Sequence, residues 1–306
     1  MAGFFGFGDF TKEGKGVDKD APQKRSFFLF WELFFRKFSR LISLNLLYLV
    51  SVIPTVIVVF FLSGFLSSNI VEHLVPAIAE IFNIAQANAA DNAEFMRLAV
   101  YLDLIIRAVV TILFTALWGM GPVTCGFTYV LRNYARQEHS WMFSDFFSNV
   151  KRNFKQGIVV WLIDLVMFFV LYNAYNFYAS QSGFVNVIKY FVITFAIVYT
   201  MMHFYIYQLI ITFELPLKQL YRNSFILALG KLPRNILILA ALLVVNLILP
   251  YFSIYSSAFS IMVLIYVVLL LLILFSFSGF LINFFVYPVI KNEMLSKADP
   301  EKYGEN

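Results

Sequence analysis

The stretch Trp118–Phe154, WGMGPVTCGFTYVLRNYARQEHSWMFSDFFSNVKRNF, decides the fold. It closes one apolar run, turns through a glycine-proline corner, lays down an aromatic and basic segment, and opens the next apolar run. Working outward from it, the same scheme recurs more loosely along the chain. Composition agrees: 61% of the 306 residues are apolar and 13% are charged, too few polar side chains to cover a water-soluble surface of this size. The 37 Phe and 17 Tyr suit helices packed in a bilayer with rings at the headgroup level. The single cysteine, Cys125, cannot form an intrachain disulfide. The net charge of +5 is spread over segments that flank apolar runs, which fits membrane topology better than nucleic-acid binding.

The expected fold is an all-α membrane protein with six transmembrane helices arranged as three hairpins, with cytosolic amphipathic interfacial helices. Residues 1–40 read as a cytosolic tail followed by an aromatic helix. The tail has no long apolar core or cleavage site and reads as retained; its Phe4, Phe5, Phe7 and Phe10 either enter the interface or pack on the protein. From Ser26, SFFLFWELFFRKFSR places Glu32, Arg36, Ser39 and Arg40 at helical spacing among seven aromatic rings. Two readings stand: an interfacial helix, or the first buried turns of span one.

A six-span domain is expected over 41–288, with spans at 41–65, 101–121, 158–178, 187–213, 236–255 and 261–287. Pro54 predicts a kink in the first. An outer loop, 66–100, carries apolar residues at helical spacing that predict a surface helix started or interrupted at Pro76, and Asp91 with Glu94 resembles a capping box. Cytosolic loops are expected at 122–157 and 214–235, and a polar, frayed cytosolic tail at 289–306. Orientation follows from the cations: 20 of the 23 Lys and Arg fall in the tails and these two loops, so the positive-inside rule puts both termini in the cytosol. A weak repeat accompanies this: Pro122, Pro216 and Pro288 each mark the inner end of a span, and Arg132-Asn133 is echoed by Arg222-Asn223. It is either an internal repeat or convergent membrane-boundary chemistry.

The opening GFFGFGDFTKEGKGVDKDAPQKRSFFLFWELFFRKF and the central GPVTCGFTYVLRNYARQEHSWMFSDFFSNVKRNFKQG resemble the YesL-like family of bacterial membrane proteins, typical of Gram-positive organisms. The likeness extends over nearly the whole chain, although the later spans are generic apolar sequence. It implies a multi-pass protein of the bacterial cell membrane, of uncharacterised function, often encoded beside carbohydrate ABC-transporter components and glycan-degrading enzymes. It supplies no catalytic residues.

The residues themselves offer a candidate intramembrane polar site. Asp103 and Arg107 lie four apart on one face of span two, either lining an outward cavity or forming a structural pair near the interface. Asp164 lies about six residues into span three, roughly 9 Å deep at ~1.5 Å per residue, and His203 lies near the middle of span four. If those spans are neighbours the two meet as a proton-sensitive pair; the competing reading bonds His203 to a Ser, Tyr or backbone carbonyl. Glu214, at the inner end of span four, reads as a partner for Arg222 or an adjacent basic loop.

The corner at Gly119, Gly121 and Pro122 either frees carbonyls for a ligand or simply ends a helix. Gly64, Gly119, Gly121 and Gly279 are candidate close-packing points. Arg132, Arg136, Lys151, Arg152 and Lys155, with Trp141, Phe143, Phe146 and Phe147, resemble a surface for anionic lipid or a partner's acidic patch, against the alternative of a solvated face.

His73, His139 and His203 fall at separate depths and do not form one metal site. There is no GxxxxGK[ST] loop and no nucleophile elbow, so neither a cofactor nor an enzymatic reaction is expected, and no nucleic-acid module is recognisable. The favoured function is an integral membrane accessory or scaffold protein associated with carbohydrate uptake or its regulation, beside carbohydrate ABC-transporter subunits, because polar residues in the spans are few and the more recognisable blocks are cytosolic. The alternative is a small-solute transporter or channel-like protein using a cavity between helical hairpins.

Overall fold

The computed structural model describes residues 26–81, 93–248 and 259–298. The expectations for the first 25 residues, the capping box at Asp91 and the far end of the fifth span lie outside them. Among the described residues every regular element is a helix: α1 Ser26–Arg36, α2 Phe38–Ser51, α3 Ile53–Ile81, α4 Ala93–Leu117, α5 Gly121–Ala135, α6 Met142–Arg152, α7 Phe154–Ala179, α8 Phe184–Thr212, α9 Leu217–Gly230, α10 Leu232–Leu243, α11 Phe259–Leu269 and α12 Phe275–Ile290. Single π-helical turns follow α10 (Val244–Ile248), join α11 to α12 (Leu270–Leu274) and follow α12 (Lys291–Leu295).

Among the described residues five helical stretches are long and apolar enough to cross a bilayer: Ile53–Glu72, Phe95–Leu117, Phe154–Ala179, Phe184–Thr212 and Leu264–Leu295. The fifth expected span, 236–255, runs through α10 and the π turn after it as far as the described residues go, and the loop expected before it holds α9, which meets α10 at 92° between Gly230 and Leu232. Asn235 holds the bend: its amide donates to the carbonyls of Ala228 (2.8 Å) and Leu227 (3.3 Å), and its oxygen accepts from the Tyr205 hydroxyl (2.8 Å). The carbonyls that α9 leaves open at its end are thereby bonded without water.

The first expected span is divided, at Val52, two residues before Pro54: the proline sits in the first turn of α3, where its missing N–H has no partner to lose, and the break falls on its N-terminal side. α3 then continues to Ile81, through Pro76, so residues 66–81 are the end of a long helix. α3 packs along α4 and α7 along α8.

The core is built from single stripes. α2 buries Leu41, Leu44, Asn45 and Tyr48, one face at helical spacing. α7 fully buries only Gly157, Val160 and Asp164; Leu165, Met167, Phe168 and Leu171 pack partly against the core, and side chains such as Leu162, Val166 and Phe169 are left for hydrocarbon. α1 buries Phe30, Leu33 and Phe34 against α12, with the Phe30 ring 5.4 Å from that of Phe280, while Phe27, Phe28 and Phe35 point outward. Asn45 completes the turn between α11 and α12: its amide donates to the carbonyls of Leu270 (3.1 Å) and Leu271 (2.8 Å), and its oxygen accepts from the Ser276 N–H (2.9 Å).

Two expectations for the intervening segments are corrected. α5, expected in an interfacial loop, is buried on nearly all sides and packs against α6, α7, α8 and α12. The tail after 289 is helical to Ala298, with Ile290 and Leu295 buried and Glu293 paired with Lys231 at 2.7 Å.

Candidate functional site

The corner at Gly119–Pro122 separates α4 from α5. Gly119 takes φ +74°, a region that favours glycine, and Met120 is extended. Pro122 sits in the first turn of α5, and the Met120 N–H is bonded by the Thr124 hydroxyl at 2.7 Å. The start of α5 then meets the first turn of α7 backbone to backbone. A Cβ on Gly121 would lie 2.2 Å from the Gly157 carbonyl oxygen, and a Cβ on Gly157 would lie 2.6 Å from the Pro122 nitrogen. Only hydrogen at both positions permits that approach.

Seven residues beyond Gly157, on the same face of α7, Asp164 turns to α8. Its Oδ1 accepts from the Tyr199 hydroxyl at 2.7 Å and lies 3.0 Å from His203 Nε2, with both the carboxylate and the imidazole at 0% exposure. That contact does not have hydrogen-bond geometry, and His203 Nε2 has no hydrogen-bond partner among the described residues. Among the described residues His203 Nδ1 and Asp164 Oδ2 have no hydrogen-bond partner. Trp118 stacks on the imidazole at 5.7 Å and 17°, anchored by its indole N–H to Thr200 (3.2 Å) and by its carbonyl, which accepts from Tyr207 (2.9 Å). The helix break and the buried pair are thus one assembly.

His203 also faces a cavity of about 50 Å³ in the middle of the bundle. The end of α4 and the two residues after it, Thr115 to Gly119, form one wall; Tyr48, Thr124, Phe127 and Thr128 form a second; Phe204, Tyr207 and Gln208 of α8 and Phe275, Gly279, Ile282 and Asn283 of α12 close it. Asn45, Tyr199, Gln208 and Asn283 were missed from the sequence, where the one available signal is that each is a polar side chain inside an apolar run.

The other candidates lie elsewhere. Asp103 and Arg107 form an ion pair at 2.7 Å; Ser67 donates to the carboxylate, and the guanidinium lies in the space that Gly64 leaves and over the Phe60 ring. That cluster fastens α3 to α4 and lines a different crevice, with Ser68 and Glu72. Glu214 lies 3.8 Å from Arg152, with side chains 95% and 71% exposed, a pair of little energetic weight.

The basic and aromatic surface survives only in part. Trp141 (72% exposed), Phe143, Phe147, Lys151, Arg152 and Lys155 are outward, on and beside α6. Arg132 is a correction: its side chain is buried, donating to Thr212 at 2.6 Å and stacked near Tyr129 and Tyr287. Burial, reinforced by nearby Arg136, holds its pKa below the ordinary arginine value. Arg136 is half-buried, over Tyr287 at 4.8 Å and paired with Glu138 at 2.5 Å.

Apolar helices of spanning length, with a break between α4 and α5 and a largely apolar cavity beside it that a few polar side chains line, define a protein of the multi-pass membrane type, all-helical among the described residues. Residues 41–175 match a family described as "Protein of unknown function, DUF624". The match takes in the helix break, the glycine contact and Asp164, and it ends before His203, Gln208 and Asn283. No curated protein and no solved structure matches the chain.

Proposed function

We propose that the protein is a small-solute transporter or channel-like membrane protein, in which the Asp164–His203 pair exchanges a proton with the cavity at the helix break. The observation that carries this reading is the burial of a carboxylate and an imidazole 3.0 Å apart, beside a cavity among apolar helices. Ionisable groups in such a place are costly and are kept for ion or proton movement. The distribution of Lys and Arg supports both termini in the cytosol of a bacterial cell, and the packing of α3 on α4 and α7 on α8 supports hairpins as the moving units. Catalysis forms no part of this reading.

The test is proton entry into proteoliposomes under a potassium-diffusion potential, read by an internal pH dye, with and without added mono- and disaccharides. Entry faster than in empty vesicles, reduced to their level by Asp164→Asn or His203→Gln in protein that still elutes as a single species, is the expected result. Equal rates with and without protein under every condition would overturn the proposal.

A second reading draws on the outward aromatic and basic face of α6, Trp141, Phe143, Phe147, Lys151 and Arg152. That chemistry suits anionic lipid headgroups or the acidic patch of a partner, and the YesL-like resemblance supports an accessory role beside carbohydrate ABC-transporter subunits. Crosslinking in native membranes followed by mild solubilisation tests it, and recovery of no transporter subunit would remove it.

A further inference from the structure

Apart from the His203 imidazole, whose ring nitrogens have no hydrogen-bond partner among the described residues, the cavity has a wall whose donors are largely spent. Asn283 Nδ2 donates to the Gly279 carbonyl at 2.7 Å, which fixes its amide, since a carbonyl can only accept. Asn283 Oδ1 must then face Gln208, whose Nε2 donates to it at 2.6 Å. Gln208 Oε1 is left buried, with no partner among the described residues. The hydroxyl hydrogens of the wall are used in the same way: Tyr207 donates to the Trp118 carbonyl at 2.9 Å and Tyr48 to the Thr115 carbonyl at 3.4 Å. The end of α4 lies at this wall and brings the negative pole of its dipole.

Such a space lacks a positive charge. Among the described residues no lysine, arginine or carboxylate lines it, Asp164 standing behind His203, so the imidazole is the wall's one basic group, and a bound metal cation and a proton on His203 exclude each other. One diffuse negative group fits a monovalent ion and leaves a divalent one uncompensated in a medium of low dielectric. Size points the same way. A cavity of about 50 Å³ exceeds the ~10–15 Å³ that one water requires and falls far below the roughly 300–1,000 Å³ of small-molecule pockets. An ion with a water or two fits, and a sugar ring does not.

We infer that the cavity binds a monovalent metal cation of sodium or potassium size, through Gln208 Oε1, the wall hydroxyls and the carbonyls at the end of α4. Broken helices hold cations in membranes by this chemistry. The inference deepens the transport reading, adding a metal cation that competes with the proton at the same cavity, but rests on it only for the ion's role and not for binding.

The experiment is thermal unfolding of the full-length protein in detergent, followed by tryptophan fluorescence, in sodium, potassium or N-methylglucamine chloride at one ionic strength. Saturable stabilisation by several degrees is expected in sodium or potassium chloride relative to N-methylglucamine chloride. Gln208→Leu should need roughly tenfold more of the same salt for half the effect, the loss of about one ligand; Thr128→Val, a milder change in the same wall, serves if Gln208→Leu does not fold. Identical unfolding in all three chlorides, or an unaltered response in the variants, would overturn the inference and leave a cavity that holds only water. Proton entry without cation stabilisation would sink this inference alone; cation stabilisation without proton entry would sink the transport reading alone.

Discussion

Replacing Gly157 by alanine adds one methyl group at the point where α7 touches the start of α5. In an unencumbered helix that change stabilises by about 0.5–1 kcal/mol, because alanine loses less backbone entropy on folding. Here the new carbon would stand 2.6 Å from the Pro122 nitrogen and 2.9 Å from Gly121 C and Pro122 Cα, against 3.4–4 Å for ordinary contact. All three neighbours are main-chain atoms, so no side chain can rotate away, and the helices must part by nearly 1 Å. Overpacking of this kind costs about 1–3 kcal/mol, and rigid neighbours put it at the upper end. The net expectation is a loss of about 1–2 kcal/mol, or roughly 2–4 °C of midpoint per kcal/mol in a chain of this size. Thermal unfolding in detergent measures it, with Gly230→Ala as the control, since a carbon at Gly230 meets nothing within 4 Å. A Gly157→Ala midpoint equal to or above that of the parent would refute the reasoning.

Three further expectations concern other parts of the bundle. Asn235→Leu leaves the Ala228 carbonyl and the Tyr205 hydroxyl unbonded at the 92° bend, so stability should fall by about 1–3 kcal/mol, measured by denaturant-dependent unfolding in mixed micelles. Arg152→Ala should change it by less than about 0.5 kcal/mol in the same assay, because Arg152 and Glu214 meet in solvent. The Cys125 thiol is fully buried and its pKa is pushed up by that burial, so thiolate is scarce near neutrality; maleimide should modify the folded protein at least roughly tenfold more slowly than the denatured chain, and equal rates would show that α5 is not enclosed.

The long apolar helices were legible because their signal is local: a run of about 20 apolar residues bounded by charge needs no knowledge of neighbours. Depth counting within spans three and four also put Asp164 and His203 within reach, and the structure sets them 3.0 Å apart. α5 was misjudged for a physical reason. Arg132 reads as a surface cation in any local window, and only the fold reveals the Thr212 hydroxyl and two tyrosine rings that accommodate it indoors. The bend after Gly230 was hidden for a similar reason, since its stabilising amide arrives from five residues beyond and its hydroxyl from α8. Gln208 and Asn283 lie 75 residues apart and acquire meaning only as a pair.

The bonds of Asn45 tie the second helix of the chain to a turn 225 residues further on. During synthesis α2 emerges long before Leu270, so for most of the time the chain takes to be made this amide waits without its partners in an apolar setting. The closing segment, conversely, arrives with a wide turn whose open carbonyls are met by a residue already in place. Assembly is therefore expected to be gated by the arrival of the last helix, with nascent chains shorter than about Ser276 held by insertion factors or removed by membrane proteases. Quality control of this protein reduces in part to whether one early asparagine has found the end of its own chain.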